Sequence, residues 1–143
     1  MSHLFAGVVL VDRRGWLLLQ ERDEFPAIDP EKWGLVGGHV DEGEDVEVAA
    51  YRELLEETGV GLPPGTLRPW RDIAVFHAAY GTNDRMHVYA AGTELGDADI
   101  VCGEGRQIVF VEPSAARALD LSSAASIVVP GFLDSELYAS MTS

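Results

Sequence analysis

The stretch Asp45 to Thr58 constrains this chain most, because it reads as a helix carrying a dense load of negative charge. It is rich in Glu, Ala and Leu, and its acidic first turn suits the positive end of a helix dipole. Gly59 follows, a residue common just past a helix C-terminus. Glu53, Glu56 and Glu57 stand at i, i+3 and i+4, so three carboxylates share one helical face. Like charges that close repel each other and cost helix stability. A bound cation would relieve them, and magnesium takes carboxylate ligands together with water and substrate phosphates. A solvated acidic helix face would show the same residues, and the glutamates alone do not separate the two. Arg52, beside the cluster, is placed to orient one carboxylate by a charge-assisted hydrogen bond.

The remaining sequence predicts a sheet for this helix to lie on. Leu4 to Val11 alternates and is β-branched, which predicts a strand; Asp12 to Gly15 is a polar turn, and Trp16 to Arg22 the returning strand. Asp23 to Lys32, with two prolines and several charges, is a loop. Gly34-Leu35-Val36 is a short extended piece, after which Gly37 and Gly38 are expected to break the chain. Trp70 to Tyr80 and Arg85 to Ala91 flank Gly81-Thr82-Asn83-Asp84, which reads as a hairpin turn. Arg106 to Val111 predicts another strand and Pro113 to Leu119 a short helix. Ser122 to Tyr138 predicts a terminal helix with its break at Pro130-Gly131. Strands come first, hairpins dominate and helices are few, which is an α+β pattern. With 143 residues, a single domain over 1–143 is expected.

The net charge is −14 and the pI about 4.4. Such a chain repels a polyanion at long range, so no nucleic acid polymer is expected as partner. A small phosphorylated substrate is compatible only if divalent cations neutralise its site, although acidic surfaces also serve solubility alone. No apolar run approaches a bilayer-spanning length, and Met1 to Val11 lacks the basic start of a signal peptide, so no membrane association is expected. Cys102 is the only cysteine, which excludes an internal disulfide and fits a reducing, cytoplasmic setting.

The helix and its flanks resemble the Nudix hydrolase family, in its MutT-like branch. The family signature is a glycine, five residues, a glutamate, seven residues, then Arg-Glu-apolar-any-Glu-Glu-any-Gly-apolar. Gly38, Glu44, Arg52, Glu53, Leu54, Glu56, Glu57, Gly59 and Val60 fill every fixed position. Average residue usage puts a chance match on the order of one in a billion per starting point, so coincidence is set aside. Val36 departs from the proline that many members carry there, which alters the local loop. The resemblance implies an α/β/α sandwich with a mixed β-sheet and a catalytic loop–helix–loop. It implies Glu53, Glu56 and Glu57 as metal ligands, the backbone carbonyl of Gly38 or Gly37 as another, and Mg2+ as cofactor with Mn2+ as substitute. Arg52 would orient the ligands, Glu44 would hold the loop to the helix, and Gly59 would close the helix. Glu104, on Gly103-Glu104-Gly105 before a late strand, is similar to a loop glutamate that activates water in such hydrolases; a plain turn residue is the other reading. Arg22 matches an arginine that contacts substrate phosphate; an ordinary surface arginine at a strand end would look the same. A homodimer is a further arrangement the resemblance makes open to this chain.

The activity so implied is metal-dependent hydrolysis of a pyrophosphate bond in a nucleoside diphosphate derivative. A nucleoside triphosphate, oxidised or noncanonical included, leads, giving a monophosphate and pyrophosphate. A nucleoside diphosphate sugar or related conjugate is the alternative. Another class, a nucleotide-binding module without hydrolysis, often loses box glutamates that this chain retains. His39, His77 and His87 are not expected to bind metal. Phe76 and Tyr80 are of a type to stack on a base, but strand aromatics commonly pack in cores. Trp33 is expected to brace the loop, and Cys102 to be inert.

Overall fold

Every residue from Phe5 to Val11 is buried, and the strand they form, β1 (Leu4–Val11), is the axis of the fold. The structure, a computed structural model, describes residues 2–142. After β1 come β2 (Leu17–Glu21), β3 (Trp33–Gly34), β4 (Val36–His39), α1 (Val46–Thr58), β5 (Arg68–His77) and β6 (Thr82–Gly92). A 3-10 turn at Asp97–Asp99 precedes β7 (Gln107–Val111), α2 (Pro113–Ala118), α3 (Ser123–Leu133) and α4 (Glu136–Thr142). The sheet order is β3-β2-β1-β6-β5, with β4 also on β1 and β7 on β2. β1 runs parallel to β6 over its whole length and antiparallel to β4 through Phe5 to Val8, so the sheet is mixed.

Burial on both faces of β1 explains its apolar run, which is continuous in the structure rather than alternating in exposure. Val9 and Val11 face a core completed by Val128, Val129 and Phe132 of α3. Ala6, Val8 and Leu10 face the opposite core, completed by Ala49, Ala50 and Leu54 of α1. Helices on both faces of a mixed sheet make the α/β/α sandwich the sequence implied. Leu54 is fully buried, and truncating such a leucine to alanine typically costs about 2–5 kcal/mol.

Three local expectations are corrected. Gly37 and Gly38 do not break the chain but lie in β4, paired with Gly7 and Ala6. Gly37 has φ +148, and a β-carbon there would stand 2.1 Å from the Ala6 carbonyl oxygen, so glycine is what lets β4 pair this closely. The hairpin turn is Ala78 to Gly81 rather than 81–84: His77 O accepts from Tyr80 N (3.1 Å) and Gly81 N (2.9 Å), and Thr82 to Asp84 belong to β6. The terminal helix runs through Pro130 and breaks at Asp134 instead. Burial of Val128, Val129 and Phe132 on the same helix outweighs the hydrogen bond that Pro130 cannot donate.

Candidate active site

Local chemistry fixes both ends of α1. The Asp45 side chain accepts from Glu47 N (2.9 Å) and Val48 N (3.4 Å), satisfying donors that the first turn leaves unpaired. Gly59 takes the left-handed conformation at φ 75, and its N–H donates to Leu55 O. With its inner face buried against the sheet, α1 turns Glu53 and Glu57 toward a cavity of about 340 Å3. That cavity is also lined by Gly37, Gly38, Arg22 and Glu104.

Arg52 organises the carboxylates. Its Nε donates to Glu44 Oε2 (2.7 Å) and its Nη2 to Glu44 Oε1 (2.9 Å). Nη1 reaches Glu53 (3.0 Å) and Glu56 (3.2 Å), and Nη2 also reaches the His39 carbonyl (3.1 Å). The Arg52 hydrogen bond is the main cause holding the Glu44 carboxyl down at about 2, with the Asp41 N–H adding to it. Arg52 is pushed up in return, chiefly by Glu44. The expected tie between loop and helix is therefore a two-pronged ion pair.

Glu57 is buried, with Oε1 accepting from Gly37 N (2.9 Å) and Oε2 from Gln20 Nε2 (3.1 Å). Burial pushes its carboxyl up to about 8; Gly37 and Gln20 oppose the rise, while Glu53 and Glu104 add to it. Burial likewise raises Glu53, against the pull of Arg52, with Glu56 and Glu104 reinforcing it. Gln20 also donates to the Glu104 carbonyl (2.8 Å). Gly103 N donates to Glu57 O (2.7 Å). A β-carbon at Gly103 would lie 2.6 Å from Glu56 O, so only glycine lets this loop approach the helix end. Thus Glu53, Glu57, Gly38, Glu104 and Arg22 share one cavity, whereas Glu56 is not among its lining residues, being more than half exposed and held by Arg52.

Among the described residues, no three acidic, histidine or cysteine side chains converge as a ready-made cage. A magnesium ion needs none, since it commonly takes one or two carboxylates and completes its shell with water and phosphate. The residues fit such an ion. Glu53 and Glu57 present carboxyl oxygens side by side at the cavity wall, the donor type a hard cation takes. The side-chain-free approach at Gly38 leaves its backbone open beside Glu53.

Arg22 lines the cavity, and its Nε is the one buried side-chain polar atom without a partner among the described residues. Tyr80 lines the cavity too, whereas Phe76 is exposed and outside it. The Trp33 backbone is tied to the segment before α3, its N–H donating to Asp120 O and its carbonyl accepting from Ser122 N. Two participants escaped the sequence reading. Gln20 is a polar residue inside an otherwise apolar strand, a signal that was present in Leu17-Leu18-Leu19-Gln20. His77 is buried against Asp84 at 2.6 Å, and nothing in the local sequence announces that pair.

The family model for the NUDIX domain matches residues 1–131. A Bacillus subtilis (strain 168) protein provisionally named as an 8-oxo-dGTP diphosphatase is 31% identical over 141 residues, 95% of this chain and 91% of its own. Nucleoside triphosphatase NudI of Enterobacter sp. (strain 638) is 31% identical over 121 residues, covering 80% of this chain and 86% of that protein. The crystal structure of a MutT NUDIX hydrolase from Burkholderia pseudomallei superposes with a TM-score of 0.73 at 27% identity, covering 91% of this chain and 97% of that one. A signature filled at every fixed position, a matching sandwich and relatives along nearly the whole length agree, and the chain belongs to the Nudix hydrolase family.

Proposed function

We propose that this protein, as a single domain over 1–143, hydrolyses a pyrophosphate bond in a nucleoside triphosphate, releasing a nucleoside monophosphate and pyrophosphate. Oxidised or otherwise noncanonical triphosphates are included, in keeping with one relative named as an 8-oxo-dGTP diphosphatase and another as a nucleoside triphosphatase. The observation that carries the reading is the convergence of the buried Glu57 with Glu53, Glu104 and Arg22 on one cavity of about 340 Å3. Such a group is costly unless a cation and a substrate complete the site.

Glu53, Glu56, Glu57 and the Gly38 carbonyl would hold magnesium, with manganese as substitute. When bound, the metal supplies charge neutralisation at the phosphate oxygens and lowers the pKa of water. Arg52 keeps Glu53 and Glu56 in place from the outer side of the helix. Glu57 is aimed by the Gly37 N–H and by Gln20. Glu104, on a loop pinned to the end of α1, accepts the proton of the attacking water. Arg22 offers an unsatisfied N–H to phosphate oxygen across the cavity. Glu44 and Gly59 act through structure alone.

The test is product release from a panel of nucleotides and nucleotide conjugates, with magnesium and with chelator, against a Glu57→Gln control. Metal-dependent pyrophosphate release from triphosphates is the expected result. Release of a sugar phosphate instead moves the assignment to a nucleoside diphosphate sugar. Tight binding with no turnover of any compound makes the chain a nucleotide-binding module.

A further inference from the structure

Four rings line the cavity, Phe5, His39, His77 and Tyr80, and they belong to one cluster. Ring centres of Phe5 and His39 are 4.4 Å apart, Phe5 and His77 5.1 Å, and His39 and Tyr80 6.1 Å. The rest of the lining, at Arg22, Ile28, Ser122 and Ala124, brings no aromatic ring. Behind the rings lies a fixed pair. His77 is 5% exposed and Asp84 3%, and Nδ1 stands 2.6 Å from Asp84 Oδ2. The Asp84 carboxylate also accepts from His3 N (2.7 Å) and Thr82 Oγ1 (2.8 Å). Burial resists its ionisation, but the bonds from His77, His3 and Thr82 together hold it down at about 2. An ionised carboxylate only accepts hydrogen bonds, so Nδ1 carries a ring proton. In the neutral ring Nε2 then keeps its lone pair. Nε2 makes no hydrogen bond to a described residue, and His77 lines the cavity.

We propose that His77, with its tautomer fixed by Asp84, is a specificity-determining residue that accepts a hydrogen bond from an N–H on a nucleobase stacked against His39 and Tyr80. The base then occupies the ring-lined end, with the phosphates over Glu53 and Glu57. This rests on the nucleotide-hydrolase reading of the site. Stacking on rings tolerates any base, so discrimination falls to the polar atom at the edge. Asp84 is a positioning residue, because it acts only through the His77 ring.

The test is nitrogen-15 NMR of the histidine rings in the full chain with magnesium, titrated in turn with AMP, GMP, CMP, UMP, ribose 5-phosphate and pyrophosphate. The free protein is expected to show His77 with Nδ1 protonated, and Nε2 to shift with at least one nucleoside monophosphate but not with ribose 5-phosphate or pyrophosphate. Asp84→Asn, which can donate as well as accept, is expected to populate the other tautomer. His77→Phe is expected to raise KM for the preferred triphosphate roughly tenfold, the worth of one hydrogen bond, with a smaller change in kcat. An Nε2 signal that answers equally to ribose 5-phosphate or pyrophosphate overturns the proposal. So does one that stays still while the Gly37 and Gly38 amides report bound nucleotide. Failure of the underlying reading looks different: the wild-type chain turns over no nucleotide and those glycine amides stay silent, and the proposal then falls with it.

Discussion

Gly38 lies so close to Glu53 that a β-carbon on it would stand 2.7 Å from the Glu53 carboxyl carbon. Gly38→Ala therefore has to displace that carboxylate, and a displacement near 1 Å at a catalytic group can cost about a hundredfold in rate. We expect kcat/KM to fall by roughly that factor, while the strand pairing of β4 and the melting temperature change little. Steady-state kinetics on the preferred nucleotide check this, and a near-wild-type rate would remove Glu53 from the site.

Arg52→Lys keeps the charge and loses the fork. A lysine cannot hold both Glu44 oxygens while reaching Glu53 and Glu56. The expected outcome is a fall in kcat of about tenfold or more. Thermal stability should drop only slightly, because this pairing is partly exposed. A variant with unchanged kcat would show that the glutamates hold their own positions.

Glu57 makes metal-free stability depend on pH with a defined sign. Its folded value of about 8 lies above its ordinary 4.5, so between those values the folded chain holds a proton that the unfolded chain has released. Stability then falls as pH rises through that window. Melting curves of chelator-treated protein from pH 5 to 9 should show the decline, and saturating magnesium or Glu57→Gln should flatten it. A decline of equal size in Glu57→Gln would assign it to other groups.

Glu104→Gln separates chemistry from binding. The Glu104 carbonyl and the Gly103 N–H anchor the loop through backbone atoms, so the substitution leaves that anchoring intact. As acceptor of the water proton, Glu104 is expected to be worth about 10²–10⁴ in kcat, with KM within a few-fold. A loss confined to KM moves the proton acceptor elsewhere.

How much of this was legible in the chain depended on the distance over which each feature is determined. The helix and its closing Gly59 were readable because they are set within a turn of their own positions, whereas Asp45, read as the first helical residue, is the N-cap. The acidic face was readable for the same reason. Gln20 was not, because its partners Glu57 and Glu104 lie 37 and 84 residues away. The pair of His77 and Asp84 was hidden by a register problem. Expecting the turn at 81–84 put Asp84 in a loop, whereas the turn at 78–81 places it in β6, opposite Val75. Pro130 misled in the other direction, since a local helix breaker was overruled by the core that α3 buries.

The parallel pairing of β1 with β6 sets an order of events on the ribosome. β1 emerges before the rest of the sheet, yet the neighbour that covers it from Leu4 to Val11 ends only at Gly92. A nascent chain that has already released α1 thus carries every box glutamate beside a bare apolar strand edge, which invites mispairing. The edge closes when the β5–β6 hairpin arrives, and the same hairpin delivers His77 and Tyr80 to the cavity, with Asp84 behind His77. The cover for that strand edge and the ring-bearing wall of the pocket come from one stretch of chain, while Glu104, Ser122 and Ala124 follow later.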